Sequence, residues 1–248
     1  LRDEILYQLM PLTSSSEVLE IGPGSGFTAF RLSRLVRRLT LVDVAEAAVG
    51  ALREDLSALG NVHCVRADVT QAEFTRLAGS NFDVAFALDV FEYVTDPAAC
   101  LNNLADSLRR GGQMLLSYPN VPPPVGDGVT YFERAADLEL LLAKAGFSEW
   151  EIGAVKLRPW AAALYRLLHE RPMRLYRRLR SRERPERPQT YEATWAFRHG
   201  RQLLRYKLPV HAAWWCLDRI MRLGGPFFSY ARVGDEIRGH QLVIRGWR

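Results

Sequence analysis

Three glycines alternate in Val18-Leu19-Glu20-Ile21-Gly22-Pro23-Gly24-Ser25-Gly26-Phe27, where an apolar run meets a helix-like one and Glu20 stands two residues ahead of the first glycine. A residue without Cβ takes positive φ at little cost and lets a ligand lie directly against the backbone. Such a turn at a strand end suits a nucleotide-type cofactor. Its spacing differs from the GxGxxG turn that cradles pyrophosphate over a helix N-terminus. Carboxylates follow at regular intervals. Asp43 closes the next apolar run, where its two oxygens suit a ribose diol, and Asp68 closes the run after that, in reach of an adenine amino group. Phe82 to Leu88 then runs into Asp89-Val90-Phe91-Glu92-Tyr93, a strand entering an acidic loop. Singly, these acids read as helix caps or a solvated first turn. Their order around the glycine turn makes them one set.

The elements that must position this set are those of an α/β chain. Short runs that are apolar throughout mark strands at Glu17 to Ile21, Leu39 to Val44, Val62 to Arg66, Phe82 to Leu88 and Gln113 to Tyr118. That pattern suits a parallel sheet covered on both faces by helices. Gly111-Gly112 and Gly146 are read as helix stops. In such a sheet, ligands bind at the carboxyl ends of the strands near the point where strand order reverses. The glycine turn lies at that edge.

Together the glycine turn, Asp43, Asp68 and the Asp89 to Tyr93 loop resemble the class I S-adenosylmethionine (SAM) methyltransferases over about the first 150 residues. The resemblance implies a Rossmann-like seven-stranded sheet of order 3-2-1-4-5-7-6, with SAM as methyl donor and S-adenosylhomocysteine as product. It places Glu20, Gly22, Gly24 and Gly26 at the methionine and ribose, Asp43 with Val44 at the ribose, and Asp68 with Val69 at the adenine. Leu88 or Asp89 would meet the methionine ammonium. In the ubiquinone-biosynthesis O-methyltransferase group, the loop after the fourth strand often carries an acid, two residues and Glu-His, which in some members binds a metal. Here Tyr93 stands in place of that histidine, and no metal is expected. Ser117-Tyr118-Pro119-Asn120 is similar to the Ser-x-Pro-Asn of small-molecule methyltransferases, so Tyr118 or Asn120 edges the acceptor pocket, or Pro119 simply ends the strand.

Net charge +5 conceals an asymmetry: residues 1–154 carry 12 basic and 21 acidic side chains, and residues 155–248 carry 21 and 7. The C-terminal part is therefore the basic one. After a sixth strand near Glu149 to Leu157, about 80 residues precede a final strand at Gln241 to Ile244, where the family often has a short hairpin. This predicts a core over 1–158, a basic, aromatic, mainly helical insertion over 159–235 that covers the acceptor, and a returning strand within 236–248. Helical spacing is read over Trp160 to His169, Pro172 to Arg180 and Trp195 to Leu223. The arginines and tryptophans of the insertion read as packing and solvated charge, as a pocket for an anionic or glycosylated molecule, or as a peripheral membrane anchor giving access to a lipid-linked acceptor. No nucleic-acid module accompanies the charge, so no nucleic-acid partner is expected.

A hydroxyl acceptor would be helped by a base, for which His169, His199, His211 and Tyr93 are the candidates. No apolar run reaches the roughly 20 residues that span a bilayer. The segment from Leu1 lacks the regions of a signal peptide, and Cys64, Cys100 and Cys216 form no CxxC pair, so a reducing cytoplasm is expected. The sequence therefore points to O-methylation of a small molecule. Its alternatives are a methyltransferase for a membrane-associated lipid or quinone precursor, and a SAM-binding regulator without chemistry.

Overall fold

The computed structural model describes residues 2–122, 130–160, 163, 228–237 and 240–248. An opening helix, α1 (Arg2–Leu9), leads into alternating strands and helices: β1 (Glu17–Ile21), α2 (Phe27–Leu32), β2 (Arg38–Asp43), α3 (Glu46–Asp55), β3 (Val62–Arg66), α4 (Phe74–Ala78) and β4 (Phe82–Leu88). A single 3-10 turn, Phe91–Tyr93, precedes α5 (Pro97–Ser107), β5 (Leu108–Asn120), α6 (Ala135–Lys144), β6 (Glu149–Leu157), β7 (Phe228–Arg232) and β8 (His240–Trp247). All strands lie in one sheet of order β3-β2-β1-β4-β5-β8-β6-β7. The first five are parallel, and β8 is antiparallel to both β5 and β6, so β6 runs in the direction of the first five.

Side chains alternate across each strand, and the two faces form two cores. Val18, Leu39, Leu41, Val84, Phe86 and Val243 pack with residues of α1, α2 and α3. Leu19, Ile21, Val42, Ala85, Ala87 and Ile244 pack with residues of α4, α5 and α6. This explains strands that are apolar throughout. Local signals start the helices where they act: Asp96 caps α5 by accepting from the Ala99 N–H at 2.9 Å, with Pro97 in the first turn.

The expected order 3-2-1-4-5-7-6 holds with one addition. The tail of the segment assigned to the insertion forms β7, which pairs with the outer edge of β6 from Leu157↔Phe228 to Gly153↔Arg232. Because Leu157 and Phe228 are partners, the segment between them leaves and re-enters the sheet at one place, the carboxyl end of β6. Residues 161–227 apart from Ala163 lie outside the described residues, and with them the expected helices and Cys216.

A second difference concerns Gly111 and Gly112. The helix before β5 ends at Ser107, four residues ahead of the expected stop, and the chain runs directly into the strand. Leu108 already pairs with Phe82, and the register then shifts before Val84↔Gln113. The glycines form this irregularity: Gly111 has φ 73°, and a Cβ on Gly112 would lie 2.9 Å from the carbonyl oxygens of Arg109 and Phe82. The extra length carries Arg109 to Asp83, with Nε donating to Oδ1 at 2.6 Å.

Where β5 ends, Asn120 is fully buried and ties three segments together. Its Nδ2 donates to the carbonyls of Phe132 at 2.7 Å and Ile237 at 2.8 Å, and its Oδ1 accepts from the Phe132 N–H at 3.0 Å. The strand does not end at Pro119, which pairs with Gln241. Asn120 is thus a clamp on the connection that delivers β8, and Tyr118, also fully buried, belongs to the core.

At the amino edge, Asp83 accepts from the Glu17 N–H at 2.7 Å as well as from Arg109. Burial pushes its pKa up, but these bonds and the charges of Arg109 and Arg37 outweigh it and hold the carboxyl below the ordinary carboxylate range. A depressed pKa stabilises the fold above its unfolded value, near 4, and that contribution fades as pH falls through the folded value. Asp83→Asn should therefore be less stable than the parent chain at pH 7, by a margin that narrows on acidification, read from urea unfolding across pH. An equal gap at pH 7 and pH 3 would contradict this electrostatic account.

Candidate functional site

The carboxyl edge is built by strands that each end on a main-chain bond to a neighbour. Gly22 N–H donates to the Val42 carbonyl at 2.8 Å, Ala67 N–H to the Asp43 carbonyl at 3.2 Å, and Asp89 N–H to the Ser117 carbonyl at 2.6 Å. The turns after β1, β2, β3 and β4 therefore emerge side by side.

Gly22, Gly24 and Gly26 all lie at positive φ, at 63°, 58° and 75°. Gly26 caps the N-terminus of α2 in the left-handed conformation, and its N–H donates to the Pro23 carbonyl at 3.0 Å. The reason for glycine at position 22 is partly internal. A Cβ there would lie 2.5 Å from Cγ2 of Val90, in the loop after β4. The absent side chain lets the two central loops touch.

Glu20 is buried at 4 % exposure on β1, between Leu41 of β2 and Phe86 of β4. By strand alternation it shares a face with Val18, beneath the glycine turn. A carboxylate so deep is rare outside functional or paired sites. Asp43 is half-buried, and its Oδ1 accepts from the Ala45 N–H at 2.9 Å; Val44 beside it is exposed. Asp68 accepts from the Thr70 N–H at 2.9 Å and the Thr70 hydroxyl at 2.8 Å through one oxygen, Oδ1, while Val69 is buried. In both acids these bonds engage only Oδ1. Both side chains shape their own turns, and neither is the helix cap of the plainer reading, since Ala45 and Glu73 stand at the N-termini of α3 and α4.

Leu88 is buried, and Asp89 takes φ 53°, one of two non-glycine residues at positive φ among the described residues. In the 3-10 turn that follows, Glu92 is buried at 5 % exposure and Tyr93 is exposed. Thr130 N–H donates to the Glu92 carbonyl at 2.7 Å, joining this turn to the segment before α6. Burial, then the Glu92 charge, pushes the Tyr118 phenol above its ordinary range. The hydroxyls of Tyr118 and Tyr131 are both buried and make no hydrogen bond within the described residues. The Tyr93 phenol is also pushed up, by burial and by Glu92 and Asp89. At neutral pH it keeps its proton.

The structure thus brings ten expected cofactor residues to one edge, together with Tyr93. His169, His199 and His211 lie outside the described residues. Among the described residues no group of three or more His, Cys, Asp or Glu gathers as a metal site. Sequence reasoning missed Val90 as the partner of Gly22, and it missed Gln241, which donates to Asp89 Oδ1 at 2.9 Å and Ser117 Oγ at 3.1 Å. Neither contact has a local signal, because each is made across the sheet.

Residues 19–114 match the family described as Methyltransferase domain. A probable S-adenosylmethionine-dependent methyltransferase of Mycobacterium tuberculosis is 30 % identical over 156 residues, 59 % of this chain and 54 % of that protein. A ubiquinone biosynthesis O-methyltransferase of Xanthomonas axonopodis is 26 % identical over 165 residues, covering 59 % of this chain and 69 % of that one. The ribosomal RNA small subunit methyltransferase A of Pelotomaculum thermopropionicum is 39 % identical over 75 residues, 30 % of this chain and 25 % of that protein. The chain thus spans about half the length of the first of these relatives. Among solved structures, a phosphoethanolamine N-methyltransferase of Haemonchus contortus aligns with TM-score 0.59 at 15 % identity, over 98 % of this chain and 51 % of that one. A methyltransferase-like protein of Bacillus halodurans aligns with TM-score 0.51 at 19 % identity, over 77 % and 87 %. At such identities these two establish the fold.

Both the φ of Gly22 and its approach to Val90 make the position testable. Gly22→Ala should lower the melting temperature by several degrees, and adding Val90→Ala should recover part of the loss by removing the two methyls nearest the new Cβ, leaving the backbone strain and a tight Val90 Cβ contact at 3.3 Å. Strictly additive losses in that double-mutant cycle would show that the two loops do not meet. The glycine turn, the acids at successive strand ends, the sheet order and the match over residues 19–114 are those of a class I S-adenosylmethionine-dependent methyltransferase domain.

Proposed function

We propose that the chain transfers a methyl group from SAM to a small-molecule acceptor at the carboxyl edge of the sheet, with a hydroxyl oxygen as the accepting atom. The observation that carries this reading is the three-glycine turn at positive φ with Glu20 buried beneath it and Asp43, Asp68 and Asp89 at neighbouring strand ends. SAM presents an ammonium and a ribose diol where a dinucleotide presents phosphates. Carboxylates and bare backbone suit those groups, and an anionic cofactor would be repelled by them. On this reading Glu20, Gly22, Gly24 and Gly26 hold the methionine and ribose, Asp43 and Val44 the ribose hydroxyls, and Asp68 and Val69 the adenine. The corner at Leu88 and Asp89 takes the ammonium.

When bound, SAM supplies a methyl group on a sulfonium, a leaving group that is already activated. The chain's own residues then have to align the acceptor and exclude water, which accounts for most of the acceleration available in such a displacement. Tyr93, holding its proton, serves as a hydrogen-bond donor at the rim. Removal of an acceptor proton falls to His169, His199 or His211. The ubiquinone biosynthesis O-methyltransferases among the relatives support oxygen as the acceptor atom. The ribosomal RNA methyltransferase matches too short a stretch, 30 % of this chain, to carry a substrate.

A second reading is favoured by the charge of residues 155–248, 21 basic against 7 acidic. It makes the acceptor a lipid or quinone precursor reached from an anionic membrane surface. No helix among the described residues is long and apolar enough to cross a membrane.

Calorimetric titration should give 1:1 binding of SAM and S-adenosylhomocysteine, weakened about tenfold or more by Asp43→Ala, the loss expected for a charge-assisted pair of hydrogen bonds. Absence of binding by the parent chain would end the cofactor assignment, and binding without turnover across hydroxylated acceptors would point to a silent regulator. Flotation with vesicles rich in anionic lipid decides the second reading: salt-sensitive co-flotation supports it, and protein left at the bottom of the gradient at low salt removes it.

A further inference from the structure

Gln241 on β8 reaches the candidate site with its side chain, and it gets there by crossing a strand. Its partner in register is Pro119 on β5, yet its Nε2 donates to Asp89 Oδ1 at 2.9 Å, beyond β5 at the end of β4, and to Ser117 Oγ at 3.1 Å on the way. Ser117 is buried at 1 % exposure and pairs with Leu88 on one side and Val243 on the other. The backbone of Asp89 is the other half of the arrangement. At φ 53° it occupies the left-handed region, which aspartate tolerates better than most residues but still at a cost. Its N–H is held by the Ser117 carbonyl at 2.6 Å and its carboxylate by Gln241, so the corner is fixed at both ends.

We infer that Gln241 is a positioning residue for the cofactor: it holds the Leu88–Asp89 corner in the conformation that presents main-chain oxygen to the methionine ammonium. The inference rests on the SAM reading for its ligand, and on the hydrogen bonds alone for its geometry. It adds that the cofactor site is incomplete without the strand that follows the insertion. The matched methyltransferase domain, residues 19–114, stops well short of that strand. Delivery of Gln241 depends in turn on Asn120, whose amide holds the carbonyl of Ile237 three residues before β8 begins. A change in how that C-terminal segment seats reaches the cofactor corner through two side-chain amides, without any movement of the glycine turn.

The test uses the full chain and two substitutions. Gln241→Leu keeps the volume and removes the donor. Gln241→Glu sets a second carboxyl against Asp89, and such a pair shares a proton only as pH falls, when the new carboxyl becomes a donor again. Hydrogen exchange of the main-chain amides over 88–92 should speed up in Gln241→Leu with the global melting temperature nearly unchanged. SAM affinity should fall about tenfold. Gln241→Glu should bind SAM weakly at pH 8 and recover toward the parent affinity near pH 5.5, a rescue that a merely structural packing role would not produce. Unchanged exchange at 88–92 in Gln241→Leu overturns the proposal whatever SAM does, as does parent-like SAM affinity in both variants. Faster exchange at the corner in a chain that never binds SAM would keep the geometric role of Gln241 and discard the cofactor reading.

Discussion

No room exists between the turn after β1 and the loop after β4 for even one methyl group on Gly22, and the rest of the edge is arranged around that approach. The two central parallel strands lie side by side, from Val18↔Val84 to Ile21↔Ala87, so their carboxyl-terminal loops must leave the sheet together. Val90 fills the space that a side chain at position 22 would occupy. Glycine there serves the protein before it serves any ligand. The left-handed backbone at Gly22, Gly24 and Gly26 then turns the chain into α2.

Around this contact the protein concentrates polar groups that would be costly elsewhere. Glu20, Ser117 and Asn120 are all buried toward the carboxyl ends of β1 and β5. Asn120 and Ser117 have hydrogen-bond partners on other segments, as buried polar groups require. These bonds tie β4, β5 and β8 together at the edge, whereas the amino edge is held by Asp83 with Glu17 and Arg109. One end of the sheet is specialised for a site. The other is specialised for stability.

The added strand, β7, illustrates how the sheet manages an edge. β6 would be left with an unpaired side once β8 inserts between it and β5, and β7 covers that side over five residues. Glu151 on β6 is bonded to both Arg232 of β7 and Arg245 of β8. Burial pushes its carboxyl up, but the two guanidiniums hold it below the ordinary range. The acid of the core half and the arginines of the basic half thus meet at the sheet itself.

What the sequence determined by itself was everything set by short spacing: the apolar strands, the alternating glycines, the acids at Asp43, Asp68 and Asp89 and the charge asymmetry. Each lies within a few residues of its cause, so period and composition suffice to read it. Helix ends were less legible, because Gly111 and Gly112 resemble a helix stop and serve as a strand irregularity whose need arises from Phe82 and Asp83 across the sheet. Only the tertiary structure decided that Val90 faces Gly22, that Asn120 clamps three segments together, that residues 228–232 form a strand, and that Gln241 meets Asp89 at a separation of 152 residues. The physical reason is register. A shift of one residue in a strand sends every side chain to the opposite face, and the register of β8 against β5 is set by a connection whose bonds no local pattern announces.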